Sequence, residues 1–223
     1  MLPARQFRNP PLLVIHPDTE LRFISPEKGY GVVAIKPIPK GTITWVLDAI
    51  DQHFSEEEIL GMAPHYQEIL YKYCYRDPQG RYVLCWDNAR FVNHSFRSNC
   101  ISTAYDFEIA VRDIAAGEEL TDDYGYLNLW EPFHASPEEG SDRTTVYPDD
   151  LLHFHKDWDA QLKAAIVFAN NLPQPLMHLL DPGMQQTVRA ISAGKKEMKS
   201  ILNCYYSGEP REIAAATAIP GTL

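Results

Sequence analysis

Cysteine is scarce in this chain: Cys74, Cys85, Cys100 and Cys204 are the four present among 223 residues, and no two form a C-x-x-C pair. That spacing argues against a disulfide framework or a zinc knuckle and makes a reducing compartment the default. Long apolar runs are missing too. The N-terminal stretch MLPARQFRNPPLLVIHP contains only LLVI, too short for a signal-peptide core or a membrane span. The expected location is therefore cytoplasmic, or nuclear in a host that has a nucleus. Positive charge is in deficit, with 20 Lys and Arg against 30 Asp and Glu and a net charge of -10. An acidic surface repels phosphate backbones, so direct nucleic-acid binding is disfavoured. A basic partner, such as a lysine-rich protein tail, suits it. Internal repeats and low-complexity tracts are absent.

Hydrophobic residues make up 45% and charged residues 22%, proportions of an ordinary globular domain. Residues 1–18 read as a loose leader, broken by Pro3, Pro10, Pro11 and Pro17. LRFI, VVAI and ITWVLD then read as three strands, with EKGYG and KPIPKGT as the turns between them and Gly41 as the position needing φ > 0. Ser55 followed by three glutamates is a helix start, so residues 51–75 are expected to be a helical insertion. YVLCWD returns to strand. ISTAYDFEIAVRDI reads as two strands joined around Asp106, and DIAAGEEL as a turn into another short strand. A polar stretch at 131–148 is a linker or lid. Beyond it Leu151, Phe154, Trp158, Leu162 and Ile166 recur at helical spacing, and Met184, Val188, Ile191, Met198 and Leu202 do so again, interrupted by Lys195. The expectation is a β-rich α+β body over 19–130 with a helical C-terminal appendage over 149–223.

Three segments carry candidate chemistry. The first is Lys28-Gly29-Tyr30-Gly31. It lacks the full dinucleotide fingerprint and precedes a strand, so a phosphate-cradling role fails on context. Alone it is a plain β-turn, or a place where glycines let a ligand approach the backbone closely. The second is RFVNHSFRSN, a polar Asn93-His94-Ser95 run among apolar neighbours. Alone it is a capped turn with a satisfied histidine. In the third, ELTDDYGY, Tyr124 ends the strand-like ELTDDY beside two acids, and alone it reads as a core tyrosine with its hydroxyl at the surface.

Taken in order and spacing, the three segments resemble the SET-domain family of protein lysine methyltransferases. That family carries a G-x-G turn, then R-F-x-N-H-S-C-x-P-N, then E-L-x-x-D-Y. The resemblance covers about residues 20–130, and the helical segment 51–75 falls where the family varies. It implies a fold of several small sheets in which ELTDDY threads, pseudoknot-like, beneath a loop beside Asn93-His94-Ser95. It implies S-adenosyl-L-methionine as cofactor, contacted by Lys28, Gly29, Tyr30, Gly31, Asn93, His94 and Tyr124, the histidine and asparagine largely through backbone groups. It implies Tyr124 as the catalytic residue, a substrate channel near Asp122, Tyr126 and Phe96, and a protein substrate whose target lysine sits in a basic segment. The alternative is a degenerate member of the family that binds cofactor or protein without turnover.

Two departures from the family pattern matter. Phe96 stands where many members have a zinc-binding cysteine, and the stretch after Phe133 has none, so a four-cysteine zinc site is excluded and no metal is expected. A lid would then be built by packing around Phe133, Tyr147, Phe154 or Trp158. Asp122 stands where many members have Phe or Tyr, a position that tunes how many methyl groups are added. An aspartate there has three options: it accepts a hydrogen bond from the substrate ammonium, it holds a water, or it faces away. Ser98 also replaces the usual proline.

Overall fold

The computed structural model describes residues 14–208. The body consists of small two- and three-stranded sheets rather than one large sheet. Strands β1 (Thr19–Ser25) and β2 (Gly29–Ala34) form a hairpin. Its turn ends at Gly29, whose φ of +74° is open to glycine and strained for other residues. Strand β3 (Ile43–Val46) follows, after a turn in which Gly41 has φ +94°, as expected.

The segment expected as a helical insertion holds two helices, flanked by strands. Strand β4 (Gln52–Phe54) leads into α1 (Glu56–Leu60) and α2 (Pro64–Tyr73), and the chain returns through β5 (Cys74–Arg76) and β6 (Tyr82–Leu84). Ser55 and Glu58 cap α1 reciprocally: the Glu58 amide donates to Ser55 Oγ, and the Ser55 amide donates to the Glu58 carboxylate at 2.7 Å. The insertion has its own core of Ile59, Leu70, Cys74 and Tyr82. Arg76 fastens it to the body by donating from Nε to the Asn128 carbonyl at 2.6 Å and from Nη2 to that of Leu129 at 2.8 Å.

Strands β7 (Asn93–His94), β8 (Cys100–Ser102), β9 (Phe107–Ala110) and β10 (Thr121–Asp122) complete the body. Strands β8 and β9 are joined around Asp106, which takes a left-handed φ of +59°. Strand β9 lies between β3 and β8. Strand β10 runs parallel to β7, pairing Thr121 with Asn93 and Asp122 with His94. A short hairpin follows, of β11 (Phe133–His134) and β12 (Thr145–Val146), then α3 (Asp150–Ile166) and α4 (Pro182–Ser192).

The helical face read from the sequence is the buried one: Leu151, Trp158, Leu162 and Ile166 are inaccessible or nearly so. They share one core with Ile43, Ile101 and Ile109 of the sheet and with Val188, Ile191 and Ile201. Burying each such large side chain contributes roughly 1.5–3 kcal/mol, which binds the helices tightly to the body. Residues 14–18 correct the expectation of a loose leader. Val14 and Ile15 are 1% exposed, their amides donate to the Asp87 carboxylate at 3.1 and 2.9 Å, and the Val46 amide donates to the Val14 carbonyl. The rest of that leader, residues 1–13, lies outside the described residues. Among the described residues no helix is long and apolar enough to cross a membrane.

Candidate active site

The parallel β7–β10 pair brings the second and third motifs together, and the hairpin adds the first. Glu119 is the point where all three meet. Its carboxylate accepts from Asn93 Nδ2 at 2.6 Å and pairs with Lys28 Nζ at 3.2 Å, while Asn93 Nδ2 also donates to the Tyr30 carbonyl at 3.0 Å. Gly31 is required by this closure. A Cβ there would lie 2.3 Å from Glu119 Oε1, 2.8 Å from Ile24 Cγ1 and 2.9 Å from Asn93 Nδ2. The close approach that Gly31 permits includes that of the protein's own side chains. A Cβ on Gly29 would meet nothing within 4 Å.

His94 accepts a hydrogen bond at Nδ1 from the Tyr124 amide at 3.2 Å. An acceptor Nδ1 places the imidazole proton on Nε2, a buried atom with no partner among the described residues. Burial, and after it the Arg143 cation, lower the His94 pKa to about 4, so the ring stays neutral. The Tyr124 hydroxyl donates to the Val92 carbonyl at 2.9 Å. Burial, with the nearby Asp122 and Glu119 charges, pushes that hydroxyl well above the ordinary tyrosine range, so it remains protonated. Phe133 packs against both His94 and Tyr124, with ring centroids 5.6 and 5.5 Å away.

On the far side of Tyr124 lies a cavity of about 560 Å3. Trp45, Tyr75, Tyr126 and Trp130 are among its aromatic walls, and Asp122, Glu108 and Tyr124 open onto it. Lys28, Gly29, Tyr30, Gly31, Asn93 and His94 do not line it. Tyr124 therefore stands between the glycine-turn side and the cavity. Asp122, 5% exposed, faces the cavity and accepts from the Tyr126 hydroxyl at 3.0 Å. Phe96, expected at the channel, is placed elsewhere: it stacks edge-on against His94 at 4.3 Å and lies under the Arg143 guanidinium at 4.5 Å. Tyr126 and Asp122 line the cavity and Phe96 does not.

The stretch after the tyrosine is fastened by two residues that nothing in the sequence singled out. Glu138 accepts from Ser95 Oγ at 2.6 Å and from the Phe96 amide at 2.8 Å. Arg143 bridges Asp123 and Asp150, which are 1% and 3% exposed, and its guanidinium lies over Phe154 as well as Phe96. Asp123 in turn accepts from the Gly125 amide at 3.0 Å and so shapes the turn Tyr124–Tyr126. Trp158 packs edge-on against Tyr126 at 5.3 Å, and Gly125 leaves room for it: a Cβ there would be 3.0 Å from the indole. Among the described residues no three of His, Cys, Asp or Glu are grouped to hold a metal. Cysteine chemistry finds no support either, since burial raises the Cys74 and Cys204 thiols to about 12 and pushes those of Cys85 and Cys100 well above the ordinary thiol range.

Residues 29–125 match the family described as SET domain. That segment is thus similar to a SET domain. Over 127 residues, 52% of this chain, the sequence is 32% identical to histone-lysine N-methyltransferase ash1 of Drosophila melanogaster. The matched stretch is 6% of that protein's length.

Proposed function

We propose that this chain is an S-adenosylmethionine-dependent protein lysine methyltransferase. The observation that carries the proposal is the parallel β7–β10 pairing, which seats Tyr124 between the Lys28–Gly31/Asn93–His94 side and the aromatic cavity. The same pairing supports the threaded path expected for the segment around Tyr124.

The residues on the first side fit the cofactor. The buried His94 Nε2–H lacks an acceptor, the turn at Gly29 is open, and Lys28, Glu119 and Asn93 supply charges and donors suited to a zwitterionic amino-acid end. Lys28, Gly29, Tyr30, Asn93, His94 and Tyr124 would hold it. When bound, S-adenosylmethionine supplies a methyl group activated by a sulfonium. The chain must then present a neutral amine to it. Lysine has a pKa near 10.4, about three units above neutral pH, so exposing its lone pair costs roughly 4 kcal/mol. Aromatic walls disfavour the ammonium, and the cavity aligns the side chain and removes orientational freedom. Tyr124 stands at the inner end of that cavity, where its hydroxyl oxygen, already donating its proton to Val92, keeps lone pairs available to orient the amine. The net charge of -10 favours a target lysine within a basic segment of a protein, in the cytoplasm or nucleus.

Calorimetric binding of S-adenosylmethionine, followed by a radiolabelled methyl assay on histones and on lysate, tests the proposal. Binding with transfer to lysine supports it. Binding without transfer to any protein overturns it in favour of a module that binds without turnover.

A further inference from the structure

The cavity behind Tyr124 contains a feature that an aromatic lysine channel does not require. Glu108 on β9 and Asp122 on β10 are hydrogen-bonded to each other, carboxyl to carboxyl, and both open onto the cavity. Each is held from behind as well. Tyr126 donates to Asp122 Oδ1 at 3.0 Å, and Ser102 Oγ donates to Glu108 Oε1 at 3.3 Å. Neither carboxyl takes part in an ion pair among the described residues, although Arg143, close by in the chain fold, neutralises the adjacent Asp123. A carboxyl pair so close together keeps one shared proton, because two full charges in contact repel. Burial raises both carboxyls above their ordinary range, so the pair retains a proton that the same groups would release in water.

A buried carboxylate without a counter-ion costs several kcal/mol to hold. Such a cost inside an otherwise aromatic cavity points to a ligand that supplies the missing cation. We infer that Glu108 and Asp122 form a seat for the unmethylated ammonium of the substrate lysine, in which the carboxylate takes the proton that the ammonium gives up before its lone pair meets the methyl group, and thereby bias the protein toward the first methyl addition. This rests on the reading of the cavity as the lysine channel. The physical basis is a count of donors. A primary ammonium offers three N–H groups, and each methyl removes one, until a trimethylammonium offers none. The aromatic walls act in the opposite sense, since rings attract a methylated cation at least as well as a bare one. With both carboxyls intact the N–H donors decide; with the pair neutralised the rings decide. Glu108 is therefore a specificity residue alongside Asp122.

The test measures binding of n-butylammonium and its N-methyl, N,N-dimethyl and N,N,N-trimethyl derivatives by NMR titration of the full chain. The wild type, Glu108→Gln, Asp122→Asn and the double variant are compared, each first checked for a cooperative thermal transition. The wild type is expected to bind the primary amine at least about fivefold tighter than the quaternary one, the worth of one net hydrogen bond. In the double variant Glu108→Gln/Asp122→Asn, which keeps shape and removes the charge of the pair, that ratio should fall to unity or invert, whereas each single variant leaves one carboxyl and a smaller preference. An unchanged order in the folded double variant, a wild-type preference for the quaternary amine, or no binding at tens of millimolar overturns the inference. If the double variant does not fold, an unchanged order in a folded Asp122→Asn overturns it. The amine series and the methyl-transfer assay fail separately. The expected order without methyl transfer to any protein refutes the enzymatic reading and leaves the seat intact. Lysine trimethylation by the wild type refutes the seat and leaves the enzymatic reading intact.

Discussion

Arg143→Met should destabilise the fold severely and in a pH-dependent way. The substitution keeps the apolar stem between Phe96 and Phe154 but removes the one cation shared by Asp123 and Asp150. Those carboxylates are 1% and 3% exposed, so water cannot replace the guanidinium. Breaking a buried pair by deleting one partner costs roughly 3–5 kcal/mol. In a domain of this size that is a fall of roughly 6–20 °C in Tm. The sign of the pH dependence follows from Asp123. Burial pushes its carboxyl above the usual range, and Arg143 pulls it part of the way back. Without Arg143 the folded value climbs further. A carboxyl with a raised folded pKa lets the native state bind more protons than the unfolded chain, so stability increases as pH falls through that folded value. The deficit of Arg143→Met should thus be largest at neutral pH and shrink toward about pH 5. Urea unfolding of both proteins at several pH values measures it. A deficit below about 1 kcal/mol, or one that stays constant across that range, would mean the network is solvated and the reasoning wrong.

Three further outcomes are expected. Tyr124→Phe should lower turnover by roughly 10²-fold or more, comparable to deleting one preorganised group, with cofactor affinity by calorimetry nearly unchanged and stability reduced by about 1 kcal/mol for the lost bond to Val92; full turnover in the variant would remove Tyr124 from the chemistry. Glu108→Gln should raise Tm by roughly 2–4 °C at about pH 8. Because Glu108 has a raised folded pKa, its cost to the fold appears only as pH rises, so the gain should vanish near about pH 5. Chelator-washed protein should contain no stoichiometric zinc by elemental analysis, since Phe96 and the cysteine-free stretch after Phe133 remove the ligands a four-cysteine site needs.

Local rules made much of this fold readable. The Ser55–Glu58 capping box, the positive-φ Gly41, the strand junction at Asp106 and the buried face Leu151–Ile166 are each set by neighbours within a few residues. Val14 and Ile15 were not readable, because what orders them is pairing to β3 and the carboxylate of Asp87, more than seventy residues away. The prolines around them gave the opposite signal. Among site residues, Tyr124, Asp122, Tyr126, Asn93 and His94 come together as their motifs suggested. Phe96 shares a motif with His94, yet its side chain follows Arg143 to the other side. Glu108 sits in a plain alternating strand, where an acid between Phe107 and Ile109 reads as solvent-facing. Ser102 and, from β10, Asp122 are what give that position its partners.

The missed residues share a physical character. Glu119, Glu138 and Arg143 are charged side chains that hold the motifs to one another across gaps of 20 to 91 residues. On composition alone, a glutamate and an arginine in a polar stretch such as 131–148 are indistinguishable from solvated surface. Their partners are what set them apart: a backbone amide beside His94, a hydroxyl at Ser95, and two carboxylates shut away from water. Each such bond has an ionised donor or acceptor, so it is stronger than a neutral one and leaves a costly orphan when broken. The ground beside the tyrosine is closed by a guanidinium between two acids and two aromatic rings. The closure depends on Asp123 remaining ionised, and Asp123 adjoins both Asp122 and Tyr124. The 131–148 stretch and the cavity are therefore coupled through three consecutive residues, so loosening Arg143 should disturb the position of Tyr124 even though the two side chains serve different partners.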